Sequence, residues 1–243
     1  MFFENFIIYV CIILGLIYLI YTKRKERKLI ELVTSISRGE WSERRVILSL
    51  LKIGINPKAI FHDLYIQKLG GEYTQVDLAV ATKSGIIVFE VKDYSGWIFG
   101  NEYQRYWTQV LAYGKEKHHF YNPVMQNAGH IKAIRQHLQS NPDIPIYSVI
   151  VFFGNCEFKN ITCNADNTFI IYSRSVREIV SEIMKQPEAK FGDKYEIMSL
   201  FSNAVQNGNN PKIVALQINS ARYYSRNRPR SKNGSSFTSL FRF

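Results

Sequence analysis

Four consecutive apolar residues, Ile86, Ile87, Val88 and Phe89, run directly into Glu90-Val91-Lys92-Asp93. A short apolar run bounded by Ser84-Gly85 reads as a buried strand, and residues two apart on a strand share a face. Glu90 and Lys92 therefore emerge together at the end of a buried element. Burying such groups is costly unless each has a partner or a metal ion. Asp77, thirteen residues before Glu90, lies in a second strand-like stretch, residues 74–82.

The turn between the two strands decides whether these charges meet. A two-residue turn at Ser84-Gly85 pairs Lys83 with Ile86 and sets Asp77 opposite Lys92, leaving Glu90 diagonal to Asp77 at about 7–8 Å between backbone positions. A four-residue loop instead sets Asp77 opposite Glu90, with the carboxylates still convergent. A three-residue loop separates them onto opposite faces unless a bulge at Gly85 restores the phase. Convergent carboxylates suit Mg²⁺ (or Mn²⁺), an oxygen-seeking ion that keeps several waters for a phosphate substrate. Lys92 is then placed to orient or activate a water and to offset charge developing on phosphate. The expected chemistry is metal-dependent phosphodiester hydrolysis, with Asp77 and Glu90 as metal ligands. The plain alternative is a cross-strand ion pair on a half-exposed sheet.

The flanking sequence predicts an α/β domain. A helix with apolar spacing at Val46, Ile47, Leu48, Leu50 and Leu51 precedes three strands, over 59–64, 74–82 and 85–93. Residues 107–112 are expected to be helical. Asn122-Pro123 marks a helix start with Asn as cap, and the stripe continues through Val124, Ala128, Ile131, Ile134 and Leu138. A fully apolar strand follows over 146–153, then a strand over 168–172 and a helix opened by a capping box at Ser175-Val176-Arg177-Glu178. The expected divisions are an anchor with its basic flank (1–28), the main domain (36–153), a C-terminal α/β extension (154–205) and a basic, flexible tail (206–243).

Residues 6–21 are uninterrupted apolar residues with Tyr and Gly. With Phe2 and Phe3 the segment reaches about 20 residues, enough to cross roughly 30 Å of hydrocarbon. No polar face interrupts it, and no small-residue cleavage motif follows it. The cluster Lys23-Arg24-Lys25-Glu26-Arg27-Lys28 predicts a single-pass membrane protein of bacterial type, with the N-terminus outside and the remaining residues cytoplasmic. Tyr18 and Tyr21 suit the interfacial belt, and the basic cluster suits anionic lipid.

The formal net charge of +11 is carried by this cluster, at +4, and by the seven Lys and Arg beyond residue 196, where no Asp or Glu occurs. The rest of the chain sums to zero, so charge alone does not mark the central region as a polyanion binder. The Arg-rich tail suits phosphate backbones or lipid head groups. Three cysteines without a Cys-x-x-Cys pair indicate neither a disulfide framework nor a zinc ribbon.

Together, Gly39-Glu40-Trp41-Ser42-Glu43, Gln75-Val76-Asp77, Gly85 to Phe89 with Glu90-Val91-Lys92-Asp93-Tyr94-Ser95-Gly96, Trp107, and Asn122-Pro123-x-x-Gln126-Asn127 resemble the nuclease-related domain, NERD. The resemblance covers roughly residues 38–153. It implies membership of the PD-(D/E)xK nuclease superfamily and a restriction-endonuclease-like core: helix, three-stranded antiparallel meander, helix and further strand. It also implies that Asp77 and Glu90 are the metal-binding acids and Lys92 the catalytic lysine. Glu43 resembles a supporting acid on the first helix, with Glu40 as its competitor, and a solvated helix acid is the plain alternative. Gln109, in Gln109-x-x-x-Tyr113, echoes an element used near the scissile strand. The Pro that precedes the first Asp in the superfamily is replaced here by Val76.

Gln126 either faces the site on the first turn of its helix or supports packing. Trp97, Tyr103, Tyr106 and Trp107 either stack on bases or pack. His118, His119, His130 and His137 lack metal-ligand spacing and read as surface residues. The implied partner is nucleic acid, DNA before RNA. The competing function is a catalytically degenerate, membrane-tethered nucleic-acid-binding or scaffold protein.

Overall fold

The computed structural model describes residues 2–226; side chains at the two ends of that range, residues 2–5, 221 and 223–226, are left undescribed. A 29-residue helix, α1 (Phe2–Ile30), opens the chain, and its segment Phe6–Ile30 is long and apolar enough to cross a membrane. Its large apolar side chains from Phe6 to Tyr21 are exposed. The mixed α/β fold that follows has the order expected of a restriction-endonuclease-like core. Helix α2 (Trp41–Lys52) leads into strands β1 (Ile60–Gln67), β2 (Tyr73–Thr82) and β3 (Gly85–Asp93), which pair as an antiparallel meander. Later come α3 (Pro123–Arg135), β7 (Ile146–Phe153), β9 (Thr168–Tyr172), α4 (Val176–Met184) and α5 (Lys194–Asn207).

The main sheet has the order β1-β2-β3-β7-β9, with β7 parallel to both β3 and β9. Its central strands are apolar on both faces because both faces are covered. On one face α2 and α4 bring Val46, Ile47, Leu50, Val176, Val180 and Ile183 onto Ile87, Phe89, Val149 and Val151. On the other, α3 and α5 bring Ala133, Ile134, Ile197 and Phe201 onto Ile86 and Val88. Every residue of β7 is buried, as its uninterrupted apolar sequence requires.

A second sheet, absent from the sequence expectation, contains β4 (Gly96–Asn101), β5 (Tyr106–Leu111), β6 (Glu116–Tyr121) and β8 (Cys156–Thr162), in the order β6-β5-β4-β8. The chain passes from β3 into β4 and from β7 into β8 side by side, so the parallel pairing continues across the corner. Gly154 makes that corner with φ +77°, and a Cβ there would collide with the Tyr94 carbonyl. Ile98, Trp107 and Phe120 of the second sheet pack on Ile150 and Phe152 of the first.

Several expectations are corrected. Residues 107–112 are not helical: β5 turns Trp107 and Gln109 inward on the period of a strand. The favoured hairpin register is also wrong. Thr82 pairs with Gly85 and Leu78 with Phe89, so the turn is Lys83-Ser84 and the facing order is that of the four-residue alternative. Ser175 makes no side-chain capping bond to α4. Helix α3 ends at Arg135, yet Leu138 is still buried beyond it. Within the segment expected as a tail, residues 211–226 form helix α6 (Pro211–Arg226), and residues 227–243 lie outside the described residues.

Candidate metal centre

The site forms where the meander opens. Strand β1 pairs with β2 through His62↔Leu78 and Leu64↔Val76, leaving Asp63 and Asp77 between them unpaired. Asp63 has φ +57°, and Arg38 Nε and Gln75 Nε2 hold its carboxylate at 2.8 and 2.7 Å. Both strands change phase there. Phe61, Leu64 and Ile66 share one core, as do Val76 and Ala79, although strict alternation would divide each set. Asp77 thus lies at a break in the ladder on both sides. Its Oδ2 accepts the Val91 N–H at 2.7 Å, satisfying a backbone donor beyond the last β2–β3 pair.

Glu90 is 1% exposed, and both its oxygens are engaged. Oε1 lies 2.5 Å from Lys92 Nζ, and Oε2 lies 3.1 Å from His130 Nε2. Lys92 Nζ also donates to Gln126 Oε1 at 3.1 Å. Gln126 and His130 stand four residues apart on α3 and therefore on one helical face. The Asn122 side chain accepts from Val124 N at 2.9 Å and fixes the start of that helix. Gln126 joins the group, as the site-facing alternative anticipated. His130 is buried, not a surface residue, and its i, i+4 relation to Gln126 was the available signal. Of the other histidines, His137 Nε2 lies 2.7 Å from the Gln67 carbonyl oxygen.

Glu43 approaches from α2 and is also buried, whereas its competitor Glu40 is exposed. Glu43 Oε2 accepts the Glu40 N–H at 3.1 Å and lies 2.8 Å from His62 Nε2. Gly39 makes this pair possible. Its φ is +64°, and a Cβ would enter the space of the Glu43 carboxylate and the His62 ring. His62 carries no sequence signal of this role beyond its place in an apolar strand.

Gln109 is not brought to the cluster. Its Nε2 donates to the Ser95 carbonyl at 2.8 Å and braces the turn between β3 and β4. Trp107 is fully buried and stacked on Phe152, with ring planes 5° apart, so it packs rather than offering a platform. Trp97 is half-buried beneath Lys159, and Tyr103 is exposed.

The electrostatics separate the two central acids. Burial, followed by the charges of Glu90 and Glu43, pushes the Asp77 carboxyl well above the usual aspartate range, against the pull of Lys92 and the Val91 N–H. Burial also pushes Glu90 up, but Lys92 and His130 outweigh it and hold the carboxyl below its ordinary value. Burial opposes the charge on Lys92, yet Glu90, Tyr94 and Asp77 raise its pKa and keep it protonated. Asp77 is therefore the acid whose ionisation most needs a cation.

Among the described residues, no three His, Cys, Asp or Glu side chains form a cage for an ion. The donor set nevertheless suits a Mg²⁺-type ion, which is bound through one or two carboxylates and retains several waters. Carboxylate oxygens carry spare lone pairs beyond the protein hydrogen bonds described.

An uncharacterized protein of Bacillus anthracis is 29% identical over 143 residues, covering 59% of this chain and 66% of the relative, slightly less than two thirds of its length. No solved structure matches. Residues 38–153, which contain Glu43, Asp77, Glu90, Lys92 and Gln126, match the family model of the nuclease-related domain, NERD, whose description implies nuclease-related chemistry and divalent metal use.

Proposed function

We propose that this protein is a membrane-anchored, metal-dependent phosphodiesterase acting on nucleic acid, DNA before RNA. The observation that carries the reading is buried Glu90 paired with half-buried Lys92, beside an Asp77 carboxyl destabilised by burial and by its acidic neighbours, inside the stretch that matches a nuclease-related domain. Asp77 and Glu90 would hold Mg²⁺ or Mn²⁺, with Glu43 as the supporting acid. When bound, the ion supplies Lewis-acid polarisation of the phosphate and lowers the pKa of water.

Lys92, kept protonated, acts as a donor: Nζ orients the attacking water and stabilises charge developing on phosphate. Gln126 accepts a second hydrogen bond from Nζ and limits its motion. Helix α1 would tether the domain to the membrane, with the N-terminus outside and the acids on the cytoplasmic side. The basic cluster at residues 23–28 supports that orientation and contact with anionic lipid.

One observation favours a degenerate, nucleic-acid-binding protein instead. Both Glu90 oxygens already have protein partners, so the pair is neutralised without an ion. The deciding experiment incubates the full chain in detergent with labelled DNA and RNA and with Mg²⁺, Mn²⁺ or chelator. Cation-dependent cleavage that disappears in Lys92→Ala is expected. No cleavage above that variant on any substrate, together with retained gel-shift binding, would replace the enzyme with the binding protein.

A further inference from the structure

Two hydrogen-bonded chains of the same construction flank Asp77. On the α2 side, Glu43 Oε2 lies 2.8 Å from His62 Nε2, and His62 Nδ1 lies 2.9 Å from Thr34 Oγ1. On the α3 side, Glu90 Oε2 lies 3.1 Å from His130 Nε2, and His130 Nδ1 lies 2.8 Å from Thr74 Oγ1. The same atoms are used in the same order, although the four elements involved differ. Glu43, His62, Glu90 and His130 are each at most 6% exposed.

The chemistry of the donors fixes the direction of each chain. An ionised carboxylate only accepts, so each Nε2 carries a proton and donates it to glutamate. In the neutral ring Nδ1 is then an acceptor, and each threonine donates its hydroxyl proton there. Glutamate and threonine thus call for the same tautomer, with Nε2 facing the carboxylate and Nδ1 facing the hydroxyl.

We propose that His62 and His130 are a matched pair of positioning residues, which present Glu43 and Glu90 to a divalent cation at Asp77. The inference rests on the metal reading above. Packing alone would not require this arrangement, because an apolar residue fills such a volume without burying a carboxylate beside it. Among the described residues Glu43 has no lysine or arginine ion-pair partner, and the His62 ring and the Glu40 N–H hold its carboxylate. Thr34 follows α1 and Thr74 precedes Asp77 by three residues, so the supports come from outside the strand and helix that carry the two glutamates.

The test is Mn²⁺ binding by the full chain in detergent, read by electron paramagnetic resonance without substrate. Loss of an outer hydrogen-bond partner typically weakens metal affinity about 10–100-fold, and that range is expected for His62→Ala and for His130→Ala. Glutamine at either position still offers an N–H and should recover most of the affinity. Thr34→Val and Thr74→Val, which keep the imidazoles, should weaken binding less than the alanine variants. Nitrogen-15 spectra should show both rings as the Nε2–H tautomer in the wild type, with the matching ring altered in each valine variant.

Folded alanine variants with wild-type Mn²⁺ affinity would overturn the proposal. If the alanine variants do not fold, unchanged affinity in both valine variants overturns it, and weakened affinity supports it. A wild type that binds no Mn²⁺ defeats the metal reading itself and this inference with it, an outcome distinct from a wild type that binds and variants that match it.

Discussion

Replacing Lys92 with methionine keeps a long, unbranched side chain and removes the charge. Glu90, 1% exposed, then loses the cation 2.5 Å from its Oε1 and keeps only His130 as a strong donor. Removing one partner of a buried pair costs about 3–5 kcal/mol. An independent ceiling comes from protonation, because the fold can lose no more by this route than the cost of neutralising an ordinary glutamate. With a reference pKa of about 4.3, that is about 4 kcal/mol at pH 7 and about 1 kcal/mol at pH 5.

The pH dependence has a definite sign. In the wild type the Glu90 carboxyl is held below its ordinary value, so it contributes stability above the unfolded pKa that fades as pH falls through the folded one. Lys92 is held above its ordinary value, so its own contribution persists below the unfolded lysine pKa and is lost only at more alkaline pH than this comparison uses. Chemical denaturation of wild type and Lys92→Met in chelator, at pH 5 and pH 7, should therefore show a deficit several-fold larger at pH 7. Added Mn²⁺ should close part of the gap, since a ligand at about 100 times its Kd stabilises by about 2.7 kcal/mol. Cation affinity should rise because a competing positive charge has gone, while hydrolysis should fail. A deficit under about 0.5 kcal/mol at pH 7, or one equal at the two pH values, would refute the argument that Lys92 compensates a buried Glu90 charge.

Asp77→Asn should raise the melting temperature of the metal-free protein and abolish its shift with Mn²⁺. The native carboxyl is held above its usual value, so the penalty that asparagine relieves is small near pH 4 and grows as pH rises towards neutrality. Gly39→Ala should destabilise by about 1–2 kcal/mol from the left-handed backbone alone, with about 1–3 kcal/mol more if the buried Glu43–His62 bond is displaced; wild-type thermal stability would contradict the clash. Trp107→Ala removes a fully buried ring and should cost about 3–5 kcal/mol by denaturation. Glu26→Ala removes the ion pairs from α1 to Arg45 and Lys52 of α2, which are 40% and 44% exposed, and should change unfolding free energy by no more than about 1 kcal/mol per pair.

The central strands and their covering helices were legible because their residues answer to local rules. A run such as Ile86–Phe89 can be buried only as a central element, and Asn122-Pro123 names its own helix start. The second sheet was not legible. Its strands alternate only weakly, and Trp107 reads equally well on a helix until a neighbouring strand is supplied. His130 looked like a surface residue because a histidine's burial depends on its partners, here Glu90 from β3 and Thr74 from β2.

Sequence by itself determined that Glu90 and Lys92 share a face at the end of a buried strand, and that an apolar segment near the N-terminus is long enough to cross a membrane. Side-chain period and hydrophobic length are properties of contiguous residues. Tertiary structure decided the rest: the Lys83-Ser84 turn, the break in the ladder at Asp77 and Asp63, and the approach of Glu43, Gln126, His62 and His130. Those features depend on strand register and helix docking, which are set by packing between residues far apart in the chain. A change of two in the sum of paired residue numbers leaves every local pattern intact and still exchanges the residue that faces Asp77.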